Sequence, residues 1–136
     1  MLSRRDVLIG AALSGAAMVV RPLSRMLAVA SQPRTPVNFK VPAGACDCHT
    51  HIFDPQHFSY AASRTYTPEP AMVEEMQRLH RALHIDRVVI VQPSVYGADN
   101  SCTLNALKQT GASARGVAVI DEKTPETALD EMDRQI

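Results

Sequence analysis

Side chains of alternating character along residues 45–53 predict the first β-strand of the chain. Successive side chains of a strand point to opposite faces. Regular alternation would place Asp47, His49 and His51 together on one face. The opposite face would carry small or apolar residues, namely Cys46, Cys48, Thr50 and Ile52. The strand should end before Pro55, because proline cannot extend a ladder of backbone hydrogen bonds.

Two later apolar runs predict further strands. Residues 87–91 form a β-branched run without alternation, which is typical of a strand covered on both faces in a parallel sheet. Residues 115–120 contain the sequence Gly-Val-Ala-Val-Ile and predict the third strand. Asp121 follows this strand, where it could face an active site or mark the entry to a helix.

Three segments carry the signals of helices. The first helix should begin at residues 67–69, where threonine can cap it and proline and glutamate suit its first turn. Its apolar stripe recurs at helical spacing and consists of Met72, Met76, Leu79 and Leu83. The second helix should run from a cap at Asp99 to Thr110, with Gly111 as its stop. The third should begin at residues 124–126, which repeat Thr-Pro-Glu, and its apolar face is Ala128, Leu129 and Met132.

Strands and helices alternate three times in this pattern, which predicts the α/β class with a parallel sheet and right-handed connections. Three β/α units leave two unpaired sheet edges. A (β/α)8 barrel needs about 250 residues, whereas this chain has 136. We therefore expect the chain to be a truncated, N-terminal portion of a longer protein, and a small three-stranded domain is the alternative.

The segment 1–30 has the organisation of an export signal. The pair Arg4–Arg5 precedes the weakly hydrophobic run 7–20, and residues 28–30 have the small-x-small pattern of a cleavage site. The apolar run is shorter than the roughly 20 residues that a membrane span needs. The arginine pair resembles the twin-arginine signal. We expect export to the periplasm by the twin-arginine machinery, with cleavage after Ala30; an uncleaved N-terminal anchor is the alternative.

The rest of the chain divides into an extended, proline-containing lead-in at 31–44 and an α/β domain at 45–136. The whole chain has 14 basic and 14 acidic residues. It shows no basic stripe, so we expect no nucleic-acid partner. Cys46 and Cys48 lie too close on one strand to bridge comfortably, so the three cysteines predict no disulfide framework.

His49 and His51, at the end of the first strand, are the candidate site residues. Imidazoles two positions apart could hold one divalent ion such as Zn²⁺, which lowers the pKa of bound water toward about 7. They could equally line a polar site without metal, because a catalytic zinc usually has three protein ligands. His57 could be a third ligand, a substrate contact or a solvated loop residue. His80 and His84 lie four apart on the first helix and are expected at its surface or boundary.

Four sequence segments together resemble the amidohydrolase-related family. They are Asp-Cys-His-Thr-His-Ile-Phe-Asp at 47–54, Arg-Thr-Tyr-Thr-Pro at 64–68, Val-Ile-Val-Gln-Pro-Ser-Val-Tyr-Gly at 89–97 and Arg-Gly-Val-Ala-Val-Ile at 115–120. Within this family they look most like the branch of 2-pyrone-4,6-dicarboxylate lactonase-like hydrolases. The resemblance implies the N-terminal portion, about three β/α units, of a TIM-type (β/α)8 barrel.

The resemblance also implies that the protein hydrolyses a lactone or similar ring of a carboxylated small molecule. His49 and His51 would polarise the substrate, or bind one divalent metal in metal-using members. Tyr66 and Ser94 would bind substrate carboxylates, although Tyr66 could instead pack before the predicted helix cap and Ser94 could be a turn residue. A later histidine, the arginines that hold the carboxylates and the aspartate that activates water would lie beyond Ile136.

Two alternative functions remain open at this point. One is a metal-dependent amidohydrolase or decarboxylase of the same superfamily. The other is an exported fragment that binds a ligand or a metal without turnover.

Cleavage after Ala30 predicts a mature N-terminus at Ser31, because the small-x-small pattern ends there. Intact-mass measurement of exported protein should give the mass of the chain from Ser31 onwards. The double change Arg4→Lys and Arg5→Lys should retain the protein in the cytoplasm, since the twin-arginine route reads this pair. Exported protein that begins at any other residue would contradict the predicted cleavage site.

Overall fold

The computed structural model describes residues 32–135, so the predicted export signal and its cleavage site lie outside the described residues. Residues 32–45 contain no helix or strand. Six main elements follow in the order β–α–β–α–β–α: β1 (Cys46–Thr50), α1 (Val73–Leu83), β2 (Arg87–Val91), α2 (Ser101–Thr110), β3 (Ala114–Val117) and α3 (Glu126–Arg134). Short 3₁₀ turns occur at Ser94–Tyr96 and Gly111–Ser113. Of the helices in this part of the chain, none is both long and apolar enough to cross a membrane.

The three strands form one parallel sheet in the order β1-β2-β3, which confirms the predicted α/β class. β2 lies in the middle and contributes Val88 and Ile90 to the core, which are 3% and 0% exposed. The ladder between β2 and β3 is regular and runs from the Val88–Ala114 pair to the Val91–Val117 pair. The unbroken β-branched run therefore forms the central strand, as its lack of alternation predicted.

The ladder between β1 and β2 contains a β-bulge. Asp47 pairs with Val88 and Thr50 pairs with Ile90, so two residues of β1 stand opposite one residue of β2. Cys48 and His49 are those two residues. Residues opposite each other in a ladder point to the same face, so Asp47 and Thr50 both point to the helix-covered face, together with Val88 and Ile90. The bulge therefore reverses the alternation of side chains along β1.

The prediction that Asp47 shares a face with His49 and His51 is consequently wrong. Asp47 points to α1, where its Oδ2 lies 3.0 Å from Nε2 of His80. The grouping of Cys46 and Cys48 with Thr50 fails for the same reason. Alternation along a sequence assumes a regular strand, and one inserted residue moves every later side chain to the other face.

Helix α1 begins at Val73, so the predicted start at residues 67–69 is also wrong. Ala71 forms an isolated antiparallel bridge with Phe53, and both of its backbone hydrogen bonds to Phe53 are 2.9 Å long. This bridge keeps the chain extended up to the residue before the helix cap. The cap is Met72, whose N–H donates to Oε2 of Glu75 at 3.0 Å. The acidic side chain in the first turn thus satisfies an amide that the helix leaves free.

The other boundaries lie close to those predicted, except at the ends of β1 and β3; β1 ends at Thr50 instead of residue 53. Helix α2 ends at Thr110 as predicted, but its N-cap is Asn100 and not Asp99, whose carboxylate accepts the N–H of Ser101 at 3.0 Å. Helix α3 begins directly after Pro125, within the predicted start. β3 ends at Val117 instead of residue 120, because the backbone of Val119 pairs with the side chain of Asn100.

The core lies between the sheet and the helices α1 and α2. Its buried apolar side chains come from β2, β3, both helices, the segment after β1 and the loop after β2: Ile52, Val73, Met76, Val88, Ile90, Val95, Tyr96, Cys102, Ala106, Leu107 and Ala114. All three cysteines are free thiols. Burial raises the pKa of the Cys102 thiol, which favours an apolar packing role over a nucleophilic one.

Ile90 offers a direct test of this core, because its side chain is completely buried in the central strand. Ile90→Ala should lower the free energy of unfolding by about 2–5 kcal/mol, through lost transfer free energy and the cavity left behind. Val117→Ala is the matched control, since Val117 is 49% exposed and its loss should cost no more than about 0.5 kcal/mol. Urea unfolding followed by circular dichroism measures both values. Equal costs for the two variants would contradict the placement of the core.

Candidate active site

The two candidate histidines lie together at the C-terminal end of β1. His49 is on the bulge and is exposed, and His51 follows the last strand residue and is half-buried. Their ring centroids are 5.0 Å apart and their planes are nearly perpendicular, at 89°. The bulge turns both rings to the face opposite Asp47, away from α1. The structure thus brings the two imidazoles to a single place on the open face of the sheet.

A hydrogen bond to β2 fixes the tautomer of His51. Its Nδ1 lies 2.8 Å from the carbonyl oxygen of Val91. A carbonyl oxygen can only accept, so Nδ1–H donates and the proton of the neutral ring sits on Nδ1. Nε2 then carries a free lone pair, which can accept a proton or bind a metal ion. The ring of Phe53, with its centroid 5.9 Å away, flanks His51 on one side.

His49 is held through its backbone. Its N–H donates to Oδ1 of Asp47 at 3.1 Å. The other carboxylate oxygen of Asp47 bonds to the buried ring of His80 on α1. The expectation that His80 lies at the helix surface or boundary is therefore wrong, whereas His84 is exposed and ends α1 in a left-handed conformation with φ of 56°.

Ser94 follows the C-terminal end of β2. This strand is the neighbour of β1, whose C-terminal end carries the histidines. Ser94 is exposed and opens the 3₁₀ turn after Pro93. Gln92, which is 5% exposed, supports this loop from below. Its Nε2 donates to the carbonyl oxygens of Gly97 at 3.3 Å and Asp99 at 2.7 Å. This buried amide, for which the sequence predicted no role, thus sets the path of the loop that carries Ser94.

Tyr66 lies on the long loop between β1 and α1 and is 48% exposed. Arg64 braces this loop: its guanidinium lies 5.8 Å from the centroid of the Tyr60 ring, and its Nε donates to Oγ1 of Thr67 at 3.0 Å. The N–H of Ala61 donates to the carbonyl oxygen of Val95 at 2.7 Å, which joins this loop to the Ser94 loop. Among the described residues, no hydrogen bond or ring contact joins Tyr66 or Ser94 to the histidine pair.

The remaining candidates have local partners. Nδ1 of His57 bonds at 2.7 Å to Oδ2 of Asp54, a buried carboxylate, while the His57 ring is largely exposed. The Oδ1 atom of Asp121 accepts the N–H of Lys123 at 2.9 Å and the hydroxyl of Thr124 at 3.1 Å. Asp121 therefore organises the turn before α3, which agrees with the helix-entry alternative.

Tyr96 is buried beneath the loop that follows β1. Its hydroxyl accepts the N–H of Asp54 at 2.8 Å, and burial raises its pKa. The phenol therefore stays neutral at physiological pH and acts as a fixed hydrogen-bonding group. It thus anchors the segment that follows the two histidines to the loop that follows Ser94.

A family model described as amidohydrolase matches residues 46–136, which begin with β1 and include every side chain described above. The chain belongs to the amidohydrolase family. Among its relatives, 2-pyrone-4,6-dicarboxylate hydrolase of Comamonas testosteroni is 39% identical over 95 residues, which are 69% of this chain and 31% of that protein. The 4-sulfomuconolactone hydrolase of Rhizobium radiobacter is 40% identical over 83 residues, which are 60% of this chain and 28% of that protein.

Several solved structures share the fold. A probable 2-pyrone-4,6-dicarboxylic acid hydrolase from Acinetobacter baumannii, with citric acid bound, aligns with a TM-score of 0.63 at 28% identity. The alignment covers 68% of this chain and 34% of that one. A crystal structure from Agrobacterium tumefaciens aligns with a TM-score of 0.65 at 29% identity, over 74% of this chain and 37% of that one. The three β/α units therefore match part of a TIM-barrel amidohydrolase, and the chain spans about a third of the length of these relatives.

Metal ions are common in the amidohydrolase superfamily, so the donor set of this chain is relevant. His49 and His51 supply two imidazoles, whereas a catalytic zinc usually takes three protein ligands and a water. Within residues 32–135, no group of three or more histidine, cysteine, aspartate or glutamate side chains could hold a metal ion. His49 and His51 could therefore hold a metal ion only together with at least one further ligand.

The tautomer of His51 can be measured directly. Neutral His51 should carry its proton on Nδ1 and none on Nε2, because the Val91 carbonyl can only accept a hydrogen bond. Long-range proton–nitrogen NMR spectra, recorded at a pH where the ring is neutral, distinguish the two ring nitrogens. The exposed His84 provides the reference ring in the same spectrum. A protonated Nε2 on neutral His51 would contradict the proposed geometry.

Proposed function

We propose that the protein hydrolyses the lactone ring of a carboxylated small molecule. The observation that carries this proposal is the pair of imidazoles on the β1 bulge, with ring centroids 5.0 Å apart, at the C-terminal edge of a parallel sheet. Active sites of TIM-barrel enzymes lie at that edge. Relatives that are 39–41% identical to parts of the chain are named as hydrolases of a pyrone dicarboxylate or of sulfomuconolactone, which supports this substrate class.

The reaction adds water across the ring ester. The water oxygen bonds to the lactone carbonyl carbon, the ring carbon–oxygen bond breaks, and the proton from water goes to the departing ring oxygen. Between these two bond changes, negative charge develops on the carbonyl oxygen. An imidazole that is protonated on both nitrogens can donate a hydrogen bond to this oxygen. His51 is suited to this role, since its Nδ1 is already bonded to Val91 and only Nε2 can face a substrate. The perpendicular ring of His49 would approach the same oxygen from a second direction.

Two hydroxyl groups would orient the acidic substrate. Tyr66 and Ser94 are both exposed, and they lie on loops that the bond between Ala61 and Val95 joins. Hydroxyl groups can donate to a carboxylate, and holding the ring in one orientation lowers the barrier to attack. We therefore assign substrate binding to these two residues and catalysis to the histidine pair.

A divalent metal at His49 and His51 belongs to this proposal in its metal-using form. When bound, such an ion would polarise the lactone carbonyl and activate water. The residues that would hold it are the two histidines, and the free lone pair on Nε2 of His51 is the donor that the hydrogen bond to Val91 leaves available.

The proposed organisation of the chain is an export signal at 1–30, a lead-in at 31–44 and the amidohydrolase domain at 45–136. We infer export by the twin-arginine machinery and a periplasmic location. The residue pattern around Arg4–Arg5 and before Ser31 supports this part of the proposal.

Histidine substitutions test the proposal. His49→Ala and His51→Ala should each lower kcat/KM for 2-pyrone-4,6-dicarboxylate by about 10²–10³-fold, if each ring donates to the developing oxyanion. The measurement is the loss of pyrone absorbance with protein expressed from the complete reading frame. His84→Asn is the matched control, because His84 is exposed and asparagine tolerates its left-handed backbone.

Wild-type turnover in both alanine variants would refute the assigned role of the histidines. A protein that opens neither this pyrone nor another acidic lactone would refute the proposed function itself. Thorough chelation separates the two forms of the mechanism: activity that survives metal removal excludes the metal-using form, and activity restored by added Zn²⁺ supports it.

A further inference from the structure

Asp47 occupies an unusual position in β1, because its two carboxylate oxygens bind groups on different elements. Oδ1 accepts the backbone N–H of His49 at 3.1 Å, two residues along the strand. Oδ2 lies 3.0 Å from Nε2 of His80, which is 33 residues away on α1. One carboxylate therefore connects the helix layer to the backbone of a proposed active-site residue.

The position of this connection matters because β1 bulges there. The two residues that stand opposite a single residue of β2 are Cys48 and His49. A bulge leaves an extra residue outside the ladder and bends the strand locally. Backbone amides need a partner when they cannot pair in a ladder, and Asp47 supplies one to His49. Its carboxylate thus fixes the peptide group from which the His49 ring projects.

The helix end of the connection is well anchored. His80 is 8% exposed and lies on the face of α1 that packs on the sheet, together with Val73 and Met76. Because the imidazole is buried, its ring has one orientation, in which Nε2–H donates to Asp47. The Asp47 side chain is itself only 29% exposed. Packing of α1 therefore sets the orientation of the carboxylate, and the carboxylate sets the bulge.

We propose that Asp47 and His80 are positioning residues of the active site: together they hold the β1 bulge and thereby place the His49 ring against His51. This inference rests on the proposed lactone hydrolysis for its effect on turnover. Neither residue contacts the exposed face that the substrate would occupy, so both act through His49. If the pair only stabilised the fold, its removal would lower the free energy of unfolding without changing the turnover of the folded protein.

Paired substitutions separate these two roles. Asp47→Ala removes both hydrogen bonds, whereas Asp47→Asn keeps an oxygen that can accept the His49 N–H. His80→Leu fills the space without a donor, whereas His80→Gln retains an N–H for Asp47. Arg78→Gln is the control on α1, because Arg78 is exposed on the same helix.

The expected result is a selective loss of kcat. Asp47→Ala and His80→Leu should lower kcat for 2-pyrone-4,6-dicarboxylate by about 10–100-fold, by analogy with the loss on removing residues that orient metal-binding histidines. KM should change by less than kcat, because the substrate-binding hydroxyls are untouched. Asp47→Asn and His80→Gln should retain most of the wild-type rate, and Arg78→Gln should retain all of it.

Amide hydrogen exchange provides a readout that does not depend on turnover. The His49 N–H should exchange faster in Asp47→Ala than in the wild type, and it should remain protected in Asp47→Asn. The amide of Ile90, in the centre of the sheet, reports whether the variant is folded. If Asp47→Ala alone unfolds, the double variant Asp47→Ala/His80→Leu removes both buried partners together, which avoids a single unpaired group.

Wild-type kcat and wild-type protection of the His49 amide in folded Asp47→Ala would overturn the proposal. So would a loss of kcat that only follows the fraction of unfolded protein. Failure of the proposed function is a separate outcome: if the wild-type protein opens no acidic lactone, the exchange of the His49 amide alone decides whether Asp47 holds the bulge.

Discussion

The parallel ladder between β1 and β2 is the constraint on which the rest of the molecule depends. Its regular part aligns Asp47 with the buried Val88, and its single bulge then shifts the strand by one residue before Thr50 meets Ile90. Without that shift, His49 would point to the same face as Asp47, under the helices. Because of the bulge, one face of this short strand packs against the core and the opposite face carries the two histidines. A defect in the ladder is therefore what makes the functional face.

The local signals in the sequence were sufficient for the elements that depend on few distant contacts. The bounds predicted for the β-branched run of β2 are those observed, and the start of helix α2 was predicted within one residue. The start of α1 was not, because the bridge between Phe53 and Ala71 decides it. Phe53 precedes that helix by twenty residues, and no pattern within the helix reports on its partner. Tertiary pairing thus overrode a good local cap signal at residues 67–69.

The candidate site likewise contains residues that the sequence predicted and residues that only the structure reveals. His49 and His51 could be proposed from the sequence because side chains two positions apart on a strand point to the same face. The pair formed by Asp47 and His80 was not found, since it joins residues far apart in sequence and depends on the bulge. Gln92 was also missed: an amide after a strand is common in sequences, and only the folded chain shows that it bonds to two carbonyl groups of the next loop. Spacing can propose the rings, but packing determines how they are held.

The hydrogen bond that fixes His51 has an evolutionary consequence. Its acceptor is the main-chain oxygen of residue 91, which every amino acid provides. Substitutions at position 91 can therefore accumulate without altering which nitrogen of His51 carries the proton. The support of His49 is encoded differently, because it depends on the side chains at positions 47 and 80. The main chain therefore maintains the arrangement of His51, whereas the arrangement of His49 depends on which side chains occupy positions 47 and 80.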